Sequence, residues 1–308
     1  MFKENTKAYW AWIVVCIVWG TTYLAIRIGV EHLPPLLFAG FRWLIAGSVL
    51  LFYFRLRGRR FPNKNQIFHL GIVGISLLGV ANGLVVFAEQ WVPSGLASLL
   101  ITTIPFWVVG IESFLPNGPK LNLQIILGVI LGLIGVGLIF SGDLQSLFNP
   151  EYFWGVISLF GAVVAWAGGS LYSKYKKLNV QPMMGASVQM LIAGIAQTTV
   201  GLLLGELSEF SFNQSGFLAF LYLIIFGSII SYTSYIYAIT HLPVSFVSTY
   251  AYINPVIALF LGWLVLDEKL DFTIIIAATV ILIAVAIVTR ANHRMRAITP
   301  RGIPEEKP

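Results

Sequence analysis

Cysteine, histidine and charge are all scarce in this sequence. The single cysteine, Cys16, excludes an internal disulfide and any cysteine-built metal cluster. The four histidines form no HExxH pattern, no glycine-rich phosphate loop precedes a lysine, and no pair of aspartates sits inside an apolar run. Metalloprotease, nucleotide-hydrolysing and aspartyl intramembrane-protease chemistry therefore lack their carriers, and no serine has a histidine nearby in an apolar run to act as its base. No metal, cofactor or catalytic residue is expected. Only 10% of the 308 residues are charged, and Phe210 to Leu266 contains no Asp, Glu, Lys or Arg. A soluble domain needs far more polar surface than that.

What is present fits a lipid environment. Hydrophobic residues make up 57% of the chain, and mean hydropathy is +0.84. The 29 glycines and 14% aromatics suit close helix contacts and membrane interfaces. A span needs roughly 20 apolar residues, and ten stretches qualify, near 8–30, 35–55, 66–88, 93–115, 122–141, 152–174, 181–205, 214–240, 243–266 and 271–289. Turn residues separate them: Pro34-Pro35, Pro93, Pro116 to Pro119, Gly142 to Pro150, Pro182, Pro243 and Asp267 to Asp271. The first run follows Lys3 and Lys7, as a signal peptide would. It continues too far and has no small-x-small cleavage site, so it reads as a retained span.

Charge orients these spans. With both termini in the cytoplasm, sixteen Lys and Arg fall on the inside, including Arg55 to Lys64, Lys120, Lys174 to Lys177 and those from Arg290 onward. The outer loops hold one cation, Lys269, and the acids Glu31, Asp143, Glu151, Glu206, Glu209, Asp267, Glu268 and Asp271. This asymmetry places the chain in a plasma (inner) membrane with both termini cytoplasmic. It also accounts for the net charge of +6 without nucleic acid.

The halves repeat each other. Trp19 precedes Pro35, and Trp166 precedes Pro182, by the same interval; Arg42 and Gln189 follow those prolines by seven. The stretch WVPSGLASLLITTIPFW (91–107) matches HLPVSFVSTYAYINPVI (241–257), with Pro93–Pro105 and Pro243–Pro255 equally spaced, and GPKLN (118–122) matches DEKLD (267–271). An odd number of spans per repeat inverts the second relative to the first. The expected fold is thus an all-α membrane protein: ten transmembrane helices as two inverted five-helix repeats, 8–142 and 152–290, with a cytoplasmic tail at 291–308. In such an architecture a solute site lies near the midplane, between the halves.

VWGTTYLAIR (18–27), FAGFRWLIAG (38–47), PSGLASLLITTIPFWV (93–108) and PVSFVSTYAYINPVIALFLGWLVLDEKL (243–270) together resemble the EamA-type branch of the drug/metabolite transporter superfamily. The resemblance covers about 8–290. One departure is SFLPNGPKL (113–121), where such proteins often carry a Gly-Glu pair. The resemblance implies transport of amino acids, metabolites, sugars or drugs, without choosing among them. The expectation is a secondary transporter, and an exporter, of small metabolites such as amino acids or amphipathic, drug-like solutes. The alternatives are a membrane-embedded enzyme and a non-transporting membrane subunit. The expected partners are a small-molecule substrate and the bilayer, with a homodimer left open.

Candidate substrate-binding residues follow from mid-helix polarity and symmetry. Pro105 and Pro255 lie about 18 Å into their helices at 1.5 Å per residue. Each frees the carbonyl four residues back, Ile101 or Ala251, and so predicts a kink. Thr102 lies beside the first, and Tyr250 and Asn254 beside the second. Ser228, Ser231, Tyr232 and Tyr235 make a polar-aromatic stripe at helical spacing, and Asn82 is the repeat partner of Tyr232. Trp19 with Tyr23, and Trp166 with Ser170, share faces four residues apart. The competing reading for each is packing or helix-to-helix hydrogen bonding. A cavity holding these aromatics favours an amphipathic, aromatic or cationic solute.

Arg42 is the deepest charge, about 10 Å into its span. It reads either as a contact for a substrate carboxylate or phosphate or as a gate residue paired with Glu89 or Glu31. Arg27 and Glu31 are spaced to pair. Only Glu89 and Glu112 are candidates for a coupling carboxylate, and both fall near helix ends, so a facilitated carrier or an antiporter is equally compatible.

Overall fold

The computed structural model describes residues 2–115, 121–141, 148–176, 178–211, 213–242, 247 and 249–298. The described residues contain no β-strand. Ten long helices carry the fold: α1 (Phe2–Val30), α2 (Pro35–Leu56), α3 (Lys64–Ala88), α4 (Ser94–Ser113), α5 (Leu123–Ser141), α6 (Pro150–Lys176), α7 (Pro182–Leu203), α8 (from Gln214 to His241), α9 (Tyr250–Leu266) and α10 (Phe272–Ile298). Among the described residues nine are long and apolar enough to cross a membrane, and α9 is a shorter apolar helix of 17 residues. The start expected for α9 at Pro243, the Pro116 to Pro119 turn with Lys120, Gly142 with Asp143, Lys177, and the tail cations Arg301 and Lys307 lie outside the described residues.

Short polar residues start the helices by binding amides that have no intrahelical partner. Asn63 and Gln66 form a capping box on α3. Asn122, Asn149, Asn213 and Asp271 accept from amides two or three residues on, at 2.7–3.0 Å, opening α5, α6, α8 and α10. The two helices entered through a proline at the N-cap have no side-chain cap of their own: α2, entered through Pro34, and α4, entered through Pro93. Distant glutamates serve them instead. Glu206 accepts from the amides of Leu36 and Leu37 at 3.2 and 2.8 Å, and Glu268 from those of Ser94 and Gly95 at 2.7 and 3.0 Å.

Three helices are irregular at mid-depth. In α4 the α-helix stops at Ile101, turns through Thr102-Thr103 and resumes at Ile104, with Pro105 in its first turn. The expected kink is thus a break. Its counterpart Pro255 lies inside the continuous α9. Sequence reasoning missed two π-helical segments, Ile75–Ala81 in α3 and Leu223–Ile230 in α8. Each ends beside an expected site residue, Asn82 or Tyr232.

Glycines set the closest crossings. On α2 and α7, a Cβ at Gly40 would stand 2.7 Å from the amide of Thr198, and one at Gly194 would stand 2.6 Å from that of Leu44. On α5 and α10, one at Gly135 would meet Ile281 at 2.7 Å. Small residues let backbones approach where lipid supplies no hydrophobic drive for association. The other face of α5 presents Leu123, Leu127, Ile130 and Ile134 outward. Elsewhere α1 packs on α8 and α9, and α6 packs on α3 and α4. One end of the bundle carries Lys64, Lys174 and Arg290, and is the basic end. The other carries Glu31, Glu89, Glu206 and Glu268, and is the acidic end.

Candidate functional site

A cavity of about 890 Å³ lies between α1, α2, α3, α4, α6, α8, α9 and α10. Of the residues expected from sequence, Trp19, Tyr23, Trp166, Tyr232 and Tyr250 form its aromatic walls, and Arg42, Asn82, Thr102 and Asn254 contribute polar atoms. Tyr235 is not on the wall. It stands behind it, with its ring centroid 5.1 Å from Trp19 and 5.9 Å from Tyr250. Pro105 lines the cavity, whereas Pro255 does not. Ser170 is also on the wall. Tyr252, a polar neighbour of the second proline in the sequence, lines it too, and sequence reasoning missed Thr22, Trp43, Thr289 and Arg290, which also line it. Arg290 is the first charge after the last apolar run, a signal that identified it only as one of the cytoplasmic-side cations.

The cavity's position follows from the irregular helices. Thr102, in the break of α4, donates from Oγ1 to the carbonyl of Ala251 at 3.4 Å and to that of Ser98 at 2.8 Å. Asn254, with its amide oriented as its neighbours require, donates to Tyr250 O at 3.0 Å and Cys16 O at 2.9 Å, tying α9 to α1. In α3, the Gln197 amide from α7 donates to Leu78 O and Gly79 O at 3.2 and 2.8 Å. In α8, Trp19 Nε1 reaches Gly227 O at 3.4 Å, and Ser231 reaches Phe226 O at 2.8 Å. Irregular backbone at membrane depth is tolerated where protein or a cavity satisfies it, and both π-helical segments meet that condition.

Four buried polar atoms of described lining residues lack partners: Arg42 Nη1, Trp43 Nε1, Asn82 Oδ1 and Thr289 Oγ1. Arg42 is 4% exposed. Its Nε donates to Ser228 Oγ at 2.9 Å, and its guanidinium lies 4.1 Å from the centroid of the Trp43 ring. Its Nη1 has no hydrogen-bond partner. Asn82 Oδ1 is likewise buried and unpartnered. The lining residues therefore carry unpartnered donors on Arg42 and Trp43, an unpartnered hydroxyl on Thr289 and an unpartnered amide oxygen on Asn82, among walls that are otherwise largely apolar and aromatic. Buried polar groups left this way are costly unless something binds them.

The two ends differ. At the basic end the wall includes Arg290, which is exposed. At the acidic end it stops at Ile26 and Val85. Beyond them Arg27 of α1 pairs with Glu31 at 3.5 Å and donates to the Glu89 carbonyl, while Glu268 grips the start of α4. Among the described residues, ion pairs join Arg27 to Glu31 and Lys174 to Glu112, and Arg42 enters neither.

The profile of the EamA-like transporter family matches residues 6–141 and 153–290. Over 293 residues the chain is 37% identical to the "uncharacterized inner membrane transporter YedA" of Escherichia coli (strain K12), covering 95% of this chain and 94% of that protein. Over 278 residues it is 26% identical to the "uncharacterized transporter YoaV" of Bacillus subtilis (strain 168), covering 87% and 92%. A solved crystal structure with 22% sequence identity superposes with a TM-score of 0.65, over 94% of this chain and 99% of the other.

Proposed function

The chain belongs to the EamA-like transporter family and is a membrane transporter, and on that premise we propose that it is a secondary carrier exporting amino acids or similar amphipathic solutes by alternating access. One observation carries the substrate class. Arg42 and Asn82, whose Nη1 and Oδ1 are buried without partners, are lining residues of a cavity built from Trp19, Tyr23, Trp166, Tyr232 and Tyr250. A guanidinium suits a carboxylate, an amide oxygen suits an ammonium, and aromatic walls suit an apolar body.

The proposed mechanism rests on two inverted five-helix repeats. Exchanging each helix for the one five places along carries the packing of α1 on α8 and α9 into that of α6 on α3 and α4. It also carries the π-helical segment of α3 onto that of α8. Inverted repeats rock about a shared midplane site. With the basic end read as cytoplasmic, we read the cavity lined by Arg290 as the state in which an exporter loads its solute from inside.

The test is uptake and efflux in proteoliposomes of purified wild type and Arg42→Gln, against labelled amino acids and organic cations. The expected result is movement of carboxylate-bearing solutes, selectively lost in the variant. Equal loss of every solute would make Arg42 a gate or scaffold residue. Neither transport nor quenching of cavity tryptophan fluorescence by any member of the panel would overturn the substrate class.

A further inference from the structure

We propose that Glu89 is a proton-binding site that couples the carrier to a pH gradient, one proton being held on its carboxyl while the acidic end is closed. The inference rests on the transport reading above and deepens it.

Glu89 follows the last residue of α3, one turn beyond Val85 of the cavity wall. It is 0% exposed, and neither carboxylate oxygen has a hydrogen-bond partner. The other acids near the apolar core are occupied. Glu112 is met by Lys174 and Tyr175, Glu206 and Glu268 each hold two backbone amides, and Glu31 pairs with Arg27. An ionised carboxylate without donors is far more costly to bury than its neutral acid. Glu89 is therefore the acid whose state depends on whether water reaches it.

The groups around it tie that state to the gate. Tyr23 and Arg27 of α1, Arg42 of α2 and Glu268 of the segment after α9 lie within electrostatic range of it. Arg27 spends its guanidinium on Glu31 and on the Glu89 backbone carbonyl rather than on the Glu89 carboxylate. A charge on Glu89 would be attracted by Arg27 and Arg42 and repelled by Glu268, and Glu268 holds α9 against α4. Opening the acidic end hydrates the carboxyl and lets the proton leave to water; closing it takes one proton from water onto a carboxylate oxygen. No other bond changes. By linkage, the closed state gains population as pH falls, by up to about tenfold per pH unit between the pKa values of the two states.

Two measurements on the full chain decide it. The first is infrared absorption of protonated carboxyl in detergent, titrated from about pH 4 to about pH 9, in wild type, Glu89→Gln and Glu112→Gln. A carboxylic-acid band persisting at neutral pH, absent from Glu89→Gln and retained in Glu112→Gln, is expected. A band absent from wild type or unchanged in Glu89→Gln overturns the proposal, as does a band abolished by sodium at constant pH. The second is transport of the same labelled panel with and without an imposed pH gradient. Glu89→Gln is expected to exchange solute at equal concentrations yet lose gradient-driven accumulation. Equal gradient driving in both proteins overturns the coupling role and leaves transport standing. If wild type moves nothing, the transport reading fails, and the infrared titration still decides whether Glu89 binds the proton.

Discussion

Thr102 of α4 shares its hydroxyl hydrogen between Ser98 O of its own helix, at 2.8 Å, and Ala251 O of α9, at 3.4 Å, the carbonyl that Pro255 leaves without an amide partner. The break of one helix thus satisfies the proline of the other across the cavity wall. Thr102→Val keeps the shape and removes the donor. It is expected to cost about 0.6–1.7 kcal/mol, the range for hydrogen bonds between membrane helices. Thr102→Ser is expected to cost less. Thermal denaturation in detergent checks this: a Val variant as stable as the Ser variant would show that the contact contributes nothing.

Arg42 and Trp43 give a second prediction. The guanidinium has a fixed fork geometry and lies 4.1 Å from the Trp43 ring centroid, so Arg42→Lys is not conservative. Both Arg42→Lys and Arg42→Gln are expected to weaken binding of a carboxylate-bearing solute. The loss is about 1.5–3 kcal/mol, the usual worth of a charged hydrogen bond. Tryptophan-fluorescence titration measures it. A Lys variant with wild-type affinity would mean that charge alone is read there.

Lining and support separate two aromatic residues that the sequence could not tell apart. Trp166 is on the wall, whereas Tyr235 stands behind Trp19 and Tyr250. Tyr235→Phe keeps the ring contacts and is expected to leave affinity within about twofold. Trp166→Ala is expected to lower affinity for aromatic solutes by about 0.5–1.5 kcal/mol beyond the area lost, the worth of an aromatic pair. The reverse order of effects, in the same titration, would move Tyr235 to the wall.

These residues also mark what was legible beforehand. Nine of the ten expected contact residues line one cavity because mid-helix polarity in an apolar chain has few places to go. Gln197 was not legible. Its role depends on the π-helical segment Ile75–Ala81, which carries no proline to announce it. Glu206 and Glu268 looked like ordinary loop acids. Their partners are backbone amides roughly 170 residues away, and side-chain patterning does not register backbone amides. Arg42 illustrates the same limit. Its depth was readable, but whether Glu31 pairs with it or with Arg27 depends on helix rotation.

Glycine substitutions test the crossing of α2 and α7. A Cβ at Gly194 would stand 2.6 Å from the Leu44 amide nitrogen, whereas one at Gly137 meets nothing within 4 Å. Gly194→Ala is expected to destabilise by about 1–3 kcal/mol, as overpacking does. Gly137→Ala is expected to be neutral or stabilising by about 0.5–1 kcal/mol, because glycine is a poor helix residue. Thermal denaturation of the pair in detergent gives the comparison, and equal shifts would contradict the close crossing.

Glu268 and Glu206 make the same contact, a carboxylate on two helix-start amides, yet are expected to act differently. Glu206 joins the end of α7 to the start of α2, helices already locked by Gly40 and Gly194. Glu268 joins α9 to α4, which touch at Gly95 and Leu259 and at Thr102 and Ala251 before the cavity separates them toward the basic end. Glu206→Gln should therefore lower stability alone. Glu268→Gln should loosen the acidic end, because an amide oxygen lacks the charge that strengthens both bonds. A cysteine at Ile26, in a Cys16→Ala background, reports the difference through its reaction with a membrane-impermeant maleimide. Its rate is expected to rise by about tenfold in Glu268→Gln, the equivalent of about 1.4 kcal/mol, and to stay level in Glu206→Gln. Equal rates in both variants would remove Glu268 from the gate and leave it a helix cap.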